Sequence, residues 1–216
     1  MKNVLKLPVY LFLALFMAVP LLTQAQSGDS RFGVKGGVNL SNFNRGDVGT
    51  QNMRIGFNLG LFTELAVGEN FSIQPELLLS TKGNRATYGT NGGVADIVGV
   101  DGEVKTNLTY IDIPVLAKVT VGEVLNIHVG PYASYLIGAN VSTDGNLGDG
   151  VQELDRDNFK TWDYGLAAGL GADIDVVTIG ARYNLGLVNV ADSDASDLVL
   201  DNSKNSVLQF YVAVGF

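Results

Sequence analysis

The chain alternates between apolar and polar or small residues over most of its length, with a period of two. In the last eleven residues, 206–216, every second residue from Leu208 to Phe216 is a large apolar one. Successive side chains of a β-strand point to opposite faces, so this segment predicts a strand with one wholly apolar face. The same alternation predicts seven earlier strands. Their bounds are 31–41, 53–66, 71–82, 104–121, 125–138, 159–174 and 176–188.

The connections between the predicted strands alternate between short and long. Short connections at 67–70, 122–124 and 175 follow the second, fourth and sixth strands, and the other connections are long and rich in Gly, Asn, Asp, Ser and Thr. Transmembrane β-barrels show this asymmetry, with short turns in the periplasm and long loops outside the cell. A strand of about 11 residues tilted by about 40° covers about 28 Å, close to the roughly 25 Å apolar band of such a barrel.

The position of the charged strand residues separates a membrane barrel from a soluble one. A lipocalin also has eight strands, but it is apolar inside and polar outside. Here the charged strand residues lie opposite the apolar face: Lys35, Glu64, Glu76, Asp112, Lys118, Asp163 and Arg182. The pattern therefore predicts an all-β fold, an eight-stranded antiparallel up-and-down transmembrane β-barrel with short periplasmic turns and long extracellular loops.

Two groups of residues give local expectations for the strands. Prolines inside strands remove ladder donors, so we expect local bulges at Pro75, Pro114 and Pro131. Aromatic residues near the extracellular strand ends predict the outer part of an aromatic girdle, with stacking on a sugar ligand as the alternative. These aromatic residues are Tyr110, Tyr135, Trp162 and Tyr164.

The N-terminus has the features of a secretory signal peptide. Two lysines precede an apolar segment at 9–22, and a small-x-Ala cleavage motif ends at Ala25. A transmembrane anchor is the alternative, but the apolar segment is shorter than the roughly 20 residues that a spanning helix needs. We therefore expect a signal peptide at 1–25 and an outer-membrane β-barrel domain at 26–216.

Composition excludes several classes of partner and cofactor. Removing the two signal lysines takes the formal charge from −8 to −10, so nucleic acid is not an expected partner. The chain contains no cysteine, which excludes disulfides, a lipid-anchored cysteine and a thiolate metal site. It is 46% hydrophobic, yet no apolar run after the signal approaches a spanning helix, so the membrane signal resides in the alternation.

Four stretches resemble the PorT-like outer-membrane β-barrel domain family. They are Phe-Ser-Ile-Gln-Pro-Glu-Leu-Leu-Leu-Ser-Thr-Lys-Gly at 71–83, Tyr-Ile-Asp-Ile-Pro-Val-Leu-Ala-Lys at 110–118, Val-Gly-Pro-Tyr at 129–132 and Ala-Arg-Tyr-Asn-Leu-Gly-Leu at 181–187. The resemblance extends from about Phe32 to Phe216. It implies an outer-membrane barrel and, through the founding member of the family, a role in a type IX protein-secretion pathway. It implies no catalytic residues.

The sequence offers little support for catalysis or for a metal site. His128, the only histidine, points inward near the turn at 122–124, and Ser134 lies six positions farther along, whereas a nucleophile needs its base within hydrogen-bond reach. The acidic loops could bind calcium, but their spacing lacks the pattern of an EF-hand, and we favour solvated loops near lipopolysaccharide-bound cations. The loop carboxylates are Asp144, Asp149, Glu153, Asp155, Asp157, Asp192, Asp194, Asp197 and Asp201. We therefore expect no catalytic residue, cofactor or metal.

A set of charged lumen residues is the most informative candidate site. Lys35, Glu64, Glu76, Lys118 and Arg182 lie about two to five residues from the periplasmic strand ends. The seventh strand faces the third across an eight-stranded barrel, so we expect an ion pair between Arg182 and Glu76. If Glu76 is replaced, Arg182 could re-pair with Glu64. An eight-stranded interior is only just wide enough for side chains. The set predicts a structural plug, with a gated or narrow conduit for small solutes as the alternative.

These observations predict an exported, monomeric protein of the Gram-negative cell envelope that is an integral, non-enzymatic outer-membrane barrel. Its role would be structural, interaction-based or accessory, with the extracellular loops as the working surface. The alternatives are a small-solute channel and, third, a lipid-modifying enzyme. Expected partners are outer-membrane lipid and lipopolysaccharide, the barrel-assembly machinery, and an envelope or secretion-system protein. The apolar C-terminal face is the expected assembly signal: Phe210, Val212, Val214 and Phe216.

Overall fold

A computed structural model of the chain shows a closed antiparallel barrel of eight strands with a ninth, short strand outside the closed circuit. The structure describes residues 30–44, 53–88, 102–145, 150–153, 160–189 and 204–216. The strands are β1 (Arg31–Asn44), β2 (Arg54–Ala66), β3 (Phe71–Tyr88), β4 (Gly102–Val121), β5 (Leu125–Gly145), β6 (Gly150–Glu153), β7 (Trp162–Ile174), β8 (Val177–Asn189) and β9 (Lys204–Gly215). Each barrel strand pairs with its neighbours, and β1 pairs with β9 to close the cylinder. The predicted fold is confirmed.

The short turns lie at one end of the barrel, as the sequence predicts. They are 67–70, 122–124 and 175–176, and two of them contain a residue with positive φ, Gly122 at 70° and Asp175 at 54°. The last residue joins the same end, because the amide of Phe216 donates to the carbonyl of Phe32 at 2.7 Å. Most of the long connections, and the expected signal peptide at 1–25, lie outside the described residues.

The two faces of the strands differ as the alternation requires. Large apolar side chains point outward and are exposed, for example Phe57, Leu170 and Phe210. Charged residues such as Lys35, Glu76 and Arg182 point inward and are buried. An apolar exterior around a polar interior suits a lipid solvent, since lipid cannot hydrogen-bond to exposed polar groups. Among the described residues, no helix is long and apolar enough to cross a membrane.

The expected bulges at the strand prolines are wrong. The β3–β4 and β4–β5 ladders skip two residues on each strand beside Pro75, Pro114 and Pro131, and then resume in the same register. The missing proline donors therefore interrupt the pairing without inserting a residue. The register shift between β4 and β5 lies instead between Thr109 and Tyr110.

Three neighbouring strands are the longest of the barrel, and β3 and β5 extend six and seven residues beyond their predicted ends. β3, β4 and β5 have 18, 20 and 21 residues, whereas the other barrel strands have 12 to 14. Relative to the other barrel strands, about seven additional residues at a tilt of about 40° add about 18 Å of height along the barrel axis. β6 pairs with the upper part of β5, at Asn140 to Thr143, in a region where the sequence predicts a loop. The barrel wall therefore continues upward on one side as a projecting sheet, made of the upper parts of β3, β4 and β5 together with β6.

Candidate functional site

Among the residues that the structure describes, ten charged side chains inside the barrel form three groups at different heights. The periplasmic layer contains Arg31, Glu64, Lys118 and Asp173. The middle layer contains Lys35, Glu76 and Arg182. The upper layer contains Lys82, Asp112 and Asp163. In each layer the strands bring together residues that are distant in sequence, because the inward-facing position recurs at every second residue.

The middle layer is centred on the carboxylate of Glu76. Arg182 donates to it through two nitrogens, Nη1 to Oε2 at 2.7 Å and Nη2 to Oε1 at 2.8 Å. Lys35 Nζ lies 3.1 Å from Oε1, and Gln74 Nε2 donates to the same oxygen at 2.7 Å. The side chains of Lys35 and Glu76 are 0% exposed. Lys35 Nζ also lies 3.5 Å from the centre of the Tyr211 ring, where a cation is attracted to the aromatic face.

The periplasmic layer links four strands near the short turns. Glu64 Oε2 accepts from Arg31 Nη2 at 2.8 Å and from Lys118 Nζ at 3.0 Å. Lys118 Nζ also lies 3.1 Å from Asp173 Oδ2, and Thr178 donates to the other oxygen of Asp173 at 2.6 Å. The two cations and two carboxylates balance. Arg31 is the most exposed of the four, with 31% of its side chain accessible, so this layer borders the periplasmic solvent.

The upper layer has one cation and two carboxylates. Lys82 Nζ lies 2.8 Å from Asp112 Oδ1 and 2.9 Å from Ser134 Oγ, but 3.9 Å from Asp163 Oδ2. The amide of Asn205 donates to Asp163 Oδ2 at 2.9 Å. All three charged side chains are almost fully buried. Across the three layers, five cations face five carboxylates.

Bulky side chains fill the space between the layers, and glycines on neighbouring strands make room for them. Phe62, Leu78, Leu116 and Tyr132 are buried inside the barrel. A Cβ at Gly165 would lie 2.5 Å from the ring of Tyr132 and 2.2 Å from a backbone oxygen. Such close packing is expected in an eight-stranded barrel, whose interior is only just wide enough for side chains.

The structure divides the five predicted network residues between two layers. Lys35, Glu76 and Arg182 meet in the middle layer, while Glu64 and Lys118 meet in the periplasmic layer. In the wild-type barrel Glu64 pairs with Arg31 and Lys118, and Arg182 pairs with Glu76. Sequence reasoning left five of the ten layer residues out of the network: Arg31, Lys82, Asp112, Asp163 and Asp173. It had already placed Asp112 and Asp163 opposite the apolar face. The other three also occupy inward positions of their strands, so a strict count of alternate residues would have found them.

The remaining candidate residues are separated from one another. His128 Nδ1 lies 3.0 Å from Asn126 Oδ1, whereas Ser134 Oγ accepts from Lys82. Tyr110 is not part of the aromatic girdle, since it is buried inside the barrel with 1% of its surface exposed. Its neighbour Ile111 faces outward, and successive residues alternate, so the sequence already placed Tyr110 inside. The other three girdle residues form a cluster, with ring centroids 5.0 Å apart for Tyr135–Trp162 and 6.0 Å apart for Trp162–Tyr164.

Of the acidic loops, the structure describes only the backbones of Asp144 and Glu153, and the other loop carboxylates lie outside the described residues. Within the described ranges, no three His, Asp or Glu side chains are grouped so that they could hold a metal ion. Four residues were predicted to form an assembly signal. The side chains of Phe210, Val212 and Phe216 are exposed on the outside of β9 and beyond its end, and Val214 is half-buried there.

Comparisons with known proteins agree with the architecture. The model of a family described as outer membrane protein beta-barrel domain matches residues 24–192. No curated protein matches the chain. Among solved structures, the chain is similar to Ail, the attachment invasion locus protein of Yersinia pestis (13% identity, 88% of this chain and 100% of that one, TM-score 0.45). It is also similar to Neisserial surface protein A (12%, 88% and 98%, TM-score 0.46) and to a major outer membrane protein from Thermus thermophilus (12%, 88% and 100%, TM-score 0.47).

Proposed function

The chain belongs to the outer membrane protein β-barrel domain family, and we propose that it is a non-enzymatic, PorT-like member whose lumen is plugged. Its role is structural, interaction-based or accessory, with the extracellular loops and the projecting sheet as the working surface. It is exported through a cleaved signal peptide and acts as a monomer. Its partners are outer-membrane lipid and lipopolysaccharide, the barrel-assembly machinery, and an envelope or secretion-system protein.

One observation carries the proposal of a plug: the middle layer is dry. The side chains of Lys35 and Glu76 have no surface accessible to water, and Arg182 is almost as deeply buried. Side chains that line an aqueous pore are hydrated, as in the larger porins, whereas an eight-stranded barrel has room only for its own side chains. The ion pairs therefore support a closed cylinder more than a conduit.

The PorT-like assignment is supported by where the resembling stretches lie. The stretch 71–83 supplies Glu76 and Lys82, the stretch 110–118 supplies Asp112 and Lys118, and the stretch 181–187 supplies Arg182. The residues that carry the resemblance therefore include half of the ten charged side chains in the three layers. The resemblance to the PorT-like family therefore concerns residues of the lumen and not a catalytic centre.

A non-enzymatic role is supported by the separation of the candidate nucleophile and base. Ser134 is engaged by Lys82, and His128 is engaged by Asn126. A base must lie within hydrogen-bond reach of the hydroxyl that it activates. This leaves the extracellular surface, to which β3, β4 and β5 contribute their long upper parts, as the place where interaction occurs.

Crosslinking in native outer membranes tests the working surface. Residues 84–106, which form the upper part of the β3–β4 hairpin and its connection, are replaced by a short turn that joins the retained Gly83–Asn107 pair. The proposal predicts that the barrel still inserts but loses its crosslinked protein partner, whereas Glu123→Gln, in a periplasmic turn, keeps it. Retention of the same partner by the shortened barrel would contradict an extracellular working surface.

A further inference from the structure

The extracellular ends of β5 and β7 carry a cluster of aromatic rings on the outside of the barrel. The rings of Trp162 and Tyr164 are parallel within 4°, with centroids 6.0 Å apart, and the ring of Tyr135 lies at 69° to that of Trp162, with centroids 5.0 Å apart. Trp162 and Tyr164 are 38% and 49% exposed. The three residues therefore form one outer aromatic patch, and its amphipathic rings suit the boundary between hydrocarbon and lipid headgroups.

The neighbouring strands show that this patch lies at the headgroup level. On the outward positions of β9, the apolar Leu208 is followed toward the extracellular end by Ser206 and Lys204. The hydroxyl of Ser206 lies 2.6 Å from that of Tyr183, so polar groups already meet on the outer surface here. Lys204 is the first residue of the 12-residue strand β9, and Trp162 is the first of the 13-residue strand β7. At a tilt of about 40°, both lie about 30 Å above the periplasmic end, just beyond the roughly 25 Å apolar band.

Two lysines flank the outer aromatic patch at this height. Lys160 precedes Trp162 by two positions, and Lys204 lies on β9, which only β8 separates from β7. Both lysine side chains are half-buried, and neither has an ion-pair partner among the described residues. The nearest carboxylates in sequence, Asp157 and Asp201, lie outside those residues. The surface therefore presents two positive charges at the level where lipid phosphates lie.

The outer aromatic patch lies on one side of the barrel. At the corresponding height, ten to twelve positions from the periplasmic strand ends, the outward residues of β1 to β4 are Asn42, Ile55, Thr81 and Thr109. None of them has the amphipathic ring of a Trp or a Tyr. A girdle that only anchors a barrel surrounds it. Three clustered rings beside two lysines on one side favour a specific ligand instead.

We infer that the outer aromatic patch, together with Lys160 and Lys204, is a docking surface for the phosphorylated sugar headgroup of lipopolysaccharide. The lysines donate charge-assisted hydrogen bonds to the phosphates. The aromatic rings pack against the apolar faces of the sugars, with their polar tips toward the headgroup region. The inference rests on the proposed function and deepens it, because it gives the proposed lipopolysaccharide partner a site on the barrel.

The fluorescence of Trp162, the only tryptophan, reports directly from this surface. The purified barrel is inserted into phosphatidylcholine vesicles that contain increasing fractions of lipid A, the phosphorylated sugar anchor of lipopolysaccharide. Vesicles with phosphatidylglycerol at the same negative charge are the comparison. The emission of the wild type should change saturably, at a fraction of lipid A at least fivefold lower than that of phosphatidylglycerol. Equal responses to the two lipids would overturn the inference, because charge alone would explain them.

Substitution of the lysines separates a built site from a general effect of the interface. Lys160→Ala and Lys204→Ala should each raise the half-saturating fraction of lipid A about fivefold, as expected for one cation near an anionic lipid surface. Asn70→Asp, in an exposed periplasmic turn, makes the same change in net charge and should have no effect on it. An unchanged half-saturating fraction in the double lysine variant would overturn the inference, provided that its urea midpoint in phosphatidylcholine is that of the wild type. The vesicles contain no partner protein, so this result is independent of the crosslinking experiment.

Discussion

Removal of the Glu76 carboxylate is the perturbation to which the middle layer should respond most strongly. Glu76→Gln keeps the size of the side chain but removes the only negative charge of the layer. Arg182 and Lys35, both buried, then face each other without a counter-ion, and the layer changes from one excess positive charge to two. Breaking a buried ion pair by removing one partner costs about 3–5 kcal/mol. We expect a loss of that size in the free energy of unfolding.

Arg182→Met should cost less than Glu76→Gln, although it removes two hydrogen bonds. Glu76 keeps Lys35 at 3.1 Å and Gln74 at 2.7 Å, and the layer becomes neutral. Glu64 cannot compensate for the loss of Glu76, because it already pairs with Arg31 and Lys118. The double variant should recover part of the summed loss, with a coupling energy above about 1 kcal/mol, as expected for residues in direct contact.

The assay is reversible unfolding in urea from phospholipid vesicles. Trp162 is the only tryptophan and lies exposed on the outside of the barrel, so its fluorescence reports the transfer of β7 from lipid to water. If the effects of the two substitutions on the free energy of unfolding add within about 0.5 kcal/mol, the side chains of Glu76 and Arg182 are not in contact in the membrane-embedded barrel. If Arg182→Met lowers the free energy of unfolding more than Glu76→Gln does, the middle layer does not carry the excess positive charge that we assign to it.

Three other predictions concern assembly, packing and processing. Phe216→Ser should reduce the amount of membrane-inserted protein much more than Phe57→Ser, although both put a hydroxyl toward lipid; equal losses would mean that the C-terminal face is not an assembly signal. Gly165→Ala should prevent stable folding, because its Cβ would meet backbone at 2.2 Å, whereas Gly68→Ala, with nothing within 4 Å, should leave the urea midpoint unchanged. The intact mass of membrane-extracted protein should correspond to a chain that begins at Gln26; a mass that includes the apolar N-terminal segment would rule out signal cleavage.

Much of the barrel could be predicted because alternation determines which side of a strand each residue faces. Every second residue from Leu208 to Phe216 is apolar and marks the outward face of β9. Counting alternate residues in the same way on β3 and β8 places Glu76 and Arg182 inside. Opposed strands in a small closed barrel then bring the two side chains together. The error at Tyr110 did not come from the pattern: Ile111 was already placed outside, and the residue was selected for its type rather than its position.

The relative heights of the charges could not be read from the sequence. Neighbouring strands are offset along the barrel axis, and the offset depends on the pairing register. Glu64 lies opposite Arg31 and Lys35 lies opposite Gly60, a displacement that separates Glu64 from the Lys35 level by four residues. Counting from strand ends therefore merged two layers into one. β6 was also missed, since a four-residue strand gives too few alternations to be detected.

The central claim, that ion pairs close the lumen, is tested most directly by single-channel recording of the wild-type protein in planar bilayers. The dry middle layer predicts no conductance above that of the bare membrane, at any applied voltage that leaves the barrel folded. The same recordings on Glu76→Gln show whether the layer is a plug or a gate, since a gate would conduct once its central carboxylate is removed. Steady, discrete openings of the wild type in the absence of any ligand would contradict the claim.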